Sequence, residues 1–157
     1  MMGGGQQQLQ QLSQELQALD EEIESLESEV SDLNDEKDEI DEAVDAIETL
    51  ESGSTVQVPL GGGAYLRADV QDIDEVVVSL GANYAAEQEQ STAIETLRRK
   101  QDALDEEIAS VRGQIEELEE ESDEIEEQAM QAQQQMQQQQ MQQMQQMQGE
   151  GGDGDDE

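Results

Sequence analysis

The sequence predicts an α+β chain: a long antiparallel α-helical coiled-coil hairpin whose two helices are joined by two β-hairpins. Three observations predict it. Apolar residues recur in steps of three and four on both sides of the chain's middle. The middle alternates apolar and polar residues around glycine turns. The two stepped patterns also stop at the same distance from that middle. The expected segments are a flexible N-terminus (1–8), a first helix (9–52), the two hairpins (53–86), a second helix with a Gln/Met-rich end (87–148) and an acidic disordered tail (149–157).

The first helix carries Leu9, Leu12, Leu16, Leu19, Ile23, Leu26, Val30, Leu33, Lys37, Ile40, Val44 and Ile47 at alternating spacings of three and four. Eleven of these twelve positions are aliphatic, which is a heptad seam rather than a loose amphipathic tendency. At about 1.5 Å per residue the helix is roughly 60 Å long.

The second helix repeats the device from Ile94 through Leu97, Gln101, Leu104, Ile108, Val111, Ile115, Leu118, Ser122, Ile125 and Ala129 to Ala132. Residues whose numbers sum to 141 then face each other, from Leu9 with Ala132 to Ile47 with Ile94. Each layer joins an a to a d position, as an antiparallel pair requires. Lys37 and Gln101 make polar layers that either fix register at some cost in stability or are merely tolerated. Arg98 falls near Asp41 and Glu48, and Arg112 near Glu27. After Ala132 the Met residues are expected to leave the seam and spread over a flank.

Between the helices, Val56, Val58 and Leu60 alternate before Gly61-Gly62-Gly63, and Ala64, Leu66 and Ala68 alternate after it. Val76, Val78 and Leu80 lead to Gly81-Ala82 and a shorter returning strand over 83–86. Both read as hairpins, with Asp69 to Asp74 linking them. Pro59 suits an edge or a strand end. So small a patch cannot cover its own apolar face, so Val56, Val58, Leu60, Leu66, Val76, Val78 and Leu80 are expected to form an oligomerisation core.

Composition closes several function classes. The 157 residues include 42 acidic and 6 basic side chains, a formal charge of -36. Nucleic-acid phosphate and anionic membrane surfaces are repelled by such a chain. The charge instead suits high salt, where screening over a few Å removes self-repulsion. There is no Cys and no His, which removes the thiol nucleophile and the commonest general base and metal ligand. Gly61-Gly62-Gly63 lacks the lysine and following helix of a phosphate loop. Asp69, Asp72 and Asp74 lack calcium-loop spacing and read as a polar turn. No catalytic constellation, cofactor or metal site is expected. No apolar run is long enough for a membrane span and MMGGGQQQ is no signal peptide, so a cytoplasmic location is expected.

The middle stretch VPLGGGAYLRADVQDIDEVVVSLGANY resembles the alpha subunit of archaeal prefoldin, here in a halophilic form. The V-P-L-G-x-G run (Val58 to Gly63), Tyr65, Ala68 and the V-x-V-S-L-G run (Val76 to Gly81) carry the likeness, over roughly residues 9–132. The resemblance implies a chaperone subunit that works without ATP. It implies a hexamer of two alpha and four prefoldin beta subunits whose hairpins join in an intersubunit β-barrel. It further implies that non-native polypeptides are held at the coiled-coil tips and passed to a group II chaperonin.

All seven Met residues lie at the chain's two ends. In the hairpin register Met1 and Met2 fall beside residues 139–140, so they gather with Met130, Met136, Met141, Met144 and Met147 near the end of the seam at Leu9. Met adapts to many partners, and Gln offers hydrogen bonds without charge. This end, with Leu9, is the expected client-contact surface; the plain alternative is a low-complexity tail with no contact role. A structural spacer or tether is the alternative, but a spacer needs no valine-rich hairpins at its midpoint. A tail that drives aggregation is a further alternative, confined to residues 128–148.

Overall fold

The computed structural model describes residues 3–149; Met1, Met2 and the acidic segment after Gly149 lie outside the described residues. Element order is α1 (Gly3–Thr49), β1 (Thr55–Gly61), β2 (Ala64–Asp69), β3 (Val76–Gly81), β4 (Tyr84–Gln88) and α2 (Gln90–Gly149). The described residues divide into two compact units, Glu29–Val111 and the end segments 3–28 with 112–149.

In the unit Glu29–Val111 the seam is the core. Leu33, Ile40, Val44, Leu104 and Ile108 form one buried cluster, with Val30, Ile94 and Leu97 packed against it. These are the heptad positions, and residue numbers fall along one segment as they rise along the other, so the pairing is antiparallel. Burying aliphatic side chains in such a seam is what stabilises the paired helices, since propensity alone does not hold a helix.

The hairpins are two copies of one design. β1 pairs antiparallel with β2, Val56 opposite Ala68 and Val58 opposite Leu66. β3 pairs with β4, Val76 opposite Gln88 and Val78 opposite Ala86. Each register slips by one residue just before its turn, leaving Leu60 and Leu80 as bulges. The cause is the same in both. Gly61 and Gly81 take φ of +95° and +92°, a backbone state that L side chains resist. Two-residue turns follow with positive φ at both positions, Gly62-Gly63 and Ala82-Asn83, the twist that closes a tight hairpin. The motif Val-x-Leu-Gly at 58–61 therefore recurs at 78–81.

Hydrogen bonds join the hairpins to the helix ends. The Gln90 side-chain amide donates to the carbonyl of Ile47 at 2.7 Å, satisfying an acceptor that the end of α1 leaves open. The Gln90 N–H donates to Asp74 Oδ1 at 3.3 Å, placing a carboxylate at the start of α2, where the helix dipole favours it. Asp72 Oδ1 accepts from the Asp74 N–H, and Asp69 Oδ1 accepts from the Thr55 hydroxyl. The three aspartates thus serve three separate bonds, one across β1 and β2, one within the linking turn and one at the start of α2.

In the unit of the end segments, Leu12, Leu19 and Ile125 form a second buried cluster with Leu16, Leu118 and Ala129 against it. The same antiparallel register holds there.

Element ends depart from expectation. α1 starts at Gly3, so residues 3–8 are helical rather than flexible. It stops at Thr49, because Glu51 to Ser54 form a hydrogen-bonded turn and Gly53 has φ of +92°. β4 extends to Gln88, with Glu87 opposite Val77 and Gln88 opposite Val76. α2 therefore begins at Gln90, not 87. The Gln/Met-rich stretch is helical through Gly149.

Candidate functional site

Two surfaces and one polar layer emerge. The first surface is on the hairpins. Val58, Leu60, Leu66 and Leu80 are 40 to 64% exposed. Val56 and Val76 are half-buried. Val78 is 5% exposed and so already covered by its own chain; it supports the hairpin from within rather than facing outward. Sequence alternation also missed three residues. Tyr65, Val77 and Tyr84 are among the most exposed large side chains of the hairpins. Val77 sits on the opposite strand face from Val76 and Val78, a placement that the run Val76-Val77-Val78 signals by breaking strict alternation.

The second surface is the Gln/Met end of α2. Met130, Met141, Met144 and Met147 are 65 to 82% exposed. No charged residue lies between Gln128 and Gly149. Met141 and Met144 line a shared groove with Gln134, Gln137, Gln138 and Gln140.

Met136 and Leu9 belong elsewhere. Both are half-buried. A Cβ placed on Gly5 would lie 3.1 Å from Cγ and Sδ of Met136, so the Met side chain rests against that glycine. The numbers 5 and 136 sum to 141. Met136 is thus the next seam position, four residues after Ala132, and the expectation that the Met residues leave the seam there is corrected at this one. It stays because a glycine opposite leaves room for a long flexible side chain. Met1 and Met2, the other expected contact residues, lie outside the described residues.

The polar layer lies within Glu29–Val111. Gln101, 8% exposed, donates from its amide nitrogen to Asp41 Oδ1 at 2.7 Å and to the Lys37 carbonyl at 3.0 Å. Arg98 donates to Asp41 Oδ1 and to Gln101 Oε1, both at 2.7 Å. Lys37 leaves the seam to pair with Asp105. The Gln101 amide, and then the Arg98 guanidinium, hold the Asp41 carboxyl below its ordinary range. The hydrogen bond from Lys37 to Asp105 pushes the Lys37 ammonium above its own. The expected Arg98–Asp41 pair is present; Glu48 is not its partner.

Among the described residues no helix is long and apolar enough to cross a membrane. No cluster of three or more His, Cys, Asp or Glu is placed among them to hold a metal ion.

Comparison with known proteins adds four findings. The prefoldin subunit family model matches residues 19–142. Prefoldin subunit alpha of the haloarchaeon Halorubrum lacusprofundi is 69% identical over 108 residues, 69% of this chain and 71% of that protein. Prefoldin subunit alpha of Haloquadratum walsbyi is 68% identical over 106 residues, 67% of this chain and 69% of that one. Among solved structures, filamentous PFD from Methanocaldococcus jannaschii, seen by cryo-EM, is 25% identical with a TM-score of 0.50, covering 76% of this chain and 95% of that one.

Proposed function

The chain belongs to the prefoldin family, and on that premise we propose that it is an alpha-type chaperone subunit that holds non-native polypeptides without ATP. Its hairpins join those of prefoldin beta subunits in a β-barrel, two alpha with four beta, and it acts in the cytoplasm. Held clients pass to a group II chaperonin.

Assembly is supported by the hairpin surface. Val58, Leu60, Leu66 and Leu80 leave apolar area in water on two small sheets, and two-stranded sheets are marginal alone. Pairing their edges with other hairpins removes both costs. The structural neighbour is itself a filamentous assembly.

The observation that carries client holding is the exposure of Met130, Met141, Met144 and Met147 along an uncharged stretch of α2 in an otherwise acidic chain. Such side chains present deformable apolar area without repelling an acidic client. The experiment removes residues 130–157 and follows aggregation of a chemically denatured client in concentrated KCl, with beta subunit present. Loss of most of the protection is expected; undiminished protection overturns the assignment of this surface.

A further inference from the structure

The chain contains no cysteine, so its thioethers are the only sulfur an oxidant can reach. From Leu9 to Ala129 its apolar seam uses Leu, Ile, Val and Ala and never Met. Met enters α2 only at Met130. If this end required apolar area alone, Leu would serve, and the chain uses Leu freely. Met differs from Leu in two ways: it deforms more easily, and it takes up an oxygen atom reversibly. Its five copies in α2 also divide by environment. Met130, Met141, Met144 and Met147 are exposed, whereas Met136 is half-buried with its sulfur against Gly5.

From this division we infer that Met130, Met141, Met144 and Met147 form a reversible oxidation site that switches off client holding while Met136 keeps the helix pair intact. The inference rests on the client-contact reading of this surface. The oxidant is a hydroperoxide. A lone pair on Sδ attacks the outer peroxide oxygen, the O–O bond breaks and an S–O bond forms. The thioether loses two electrons and becomes a sulfoxide, while hydrogen peroxide is reduced to water. Reversal takes two electrons from a dithiol, which becomes a disulfide as the oxygen leaves as water.

The consequence follows from polarity. A sulfoxide is a strong dipole and hydrogen-bond acceptor where a soft apolar group stood. Four of them in a surface otherwise made of Gln leave little apolar area for a client. The seam is insulated, because Met136 Sδ packs against Gly5 and is reached slowly.

The test treats the assembled complex, full-length chain with beta subunits in concentrated KCl, with graded hydrogen peroxide. Peptide masses give oxidation at each Met, and the readout is each complex's client protection after peroxide divided by its own protection before. Met130, Met141, Met144 and Met147 are expected to oxidise before Met136. The wild-type ratio falls at least about threefold and recovers with a methionine sulfoxide reductase. In a complex carrying M130L, M141L, M144L and M147L together, the ratio stays near one. A wild-type ratio near one with all four sites oxidised overturns the inference, as does an equal fall in the Leu complex. A second variant, with the same four residues changed to Gln, separates the two ideas. If it protects like wild type, the client-contact reading itself fails. If it loses protection while oxidised wild type does not, only the oxidation switch fails.

Discussion

Gln101 donates to Asp41 across the helix pair at 2.7 Å, from a heptad core position only 8% exposed. The same amide nitrogen also reaches the Lys37 carbonyl. A polar residue in a seam is tolerated when its bonds are made, and this one makes them to groups that sit opposite it in a single register. Sliding α2 by one heptad would set the amide in the layer of Leu33 or Ile47 and part it from Asp41 and the Lys37 carbonyl.

Gln101→Leu therefore separates stability from register. Leu adds apolar area opposite Ile40, so the substitution raises stability by about 1 kcal/mol. It also removes the device that penalises slipped pairings. With cysteines placed at Leu33 and Ile108, which face each other, wild type forms the expected disulfide in high yield. The Gln101→Leu background gives a mixture with a lower yield despite its higher melting temperature.

The pH dependence follows from the same layer. The Asp41 carboxyl sits below its ordinary range in the folded chain, chiefly through the Gln101 amide. Its stabilisation is thus present above the ordinary Asp value and is lost as pH falls through the lower folded value. Lys37 is raised by Asp105, so its stabilisation is present below the ordinary Lys value and is lost as pH rises through the higher folded one. Denaturation in concentrated KCl checks both. Asp41→Asn is less stable than wild type at neutral pH, and the gap closes in acid. The stability difference between Lys37→Met and wild type shifts in favour of Lys37→Met only in strong base.

At the start of α1 neighbouring glycines respond differently. A Cβ at Gly4 meets nothing within 4 Å, whereas one at Gly5 meets Met136 at 3.1 Å. Gly4→Ala stabilises the helix pair by up to about 1 kcal/mol through helix propensity. Gly5→Ala recovers less than half of that, because Met136 must shift. Thermal melting of the two variants side by side reads the difference.

With a charge of -36, folding is expected to depend on salt. At about 0.01 M salt the screening length is roughly 30 Å and the acidic helix faces repel; at about 1 M it is roughly 3 Å. Far-UV circular dichroism rises to full helicity as KCl increases. Full helicity in dilute buffer would count against the assignment of the charge to a saline interior, which the haloarchaeal relatives favour.

The seams were legible because one period ran through each, and their shared register followed from where both stop. The hairpins were legible from alternation and from the glycines at 61 and 81. Other features were hidden for physical reasons. Three glycines and three glutamines gave no helix signal at residues 3–8, yet tertiary pairing keeps them helical. Met136 was in step with Ala132, but its partner Gly5 has no side chain to continue the apolar pattern. Glu87 and Gln88 look like helix formers and are held in β4 by Val77 and Val76. That Val78 turns inward while Val77 stays in water depends on packing, which alternation alone does not specify. The bonds among Arg98, Gln101 and Asp41 needed coordinates, although the positions of Lys37 and Gln101 had marked the layer.

On the proposed function, this chain completes a prefoldin through its hairpins. Native mass spectrometry of the chain co-expressed with a prefoldin beta subunit in high salt tests it most directly. The predicted result is one species with two copies of this chain and four of the partner, lost when Leu60 and Leu80 are both changed to Asp. A chain that stays free of the beta subunit, or pairs only with itself through α1, would contradict it.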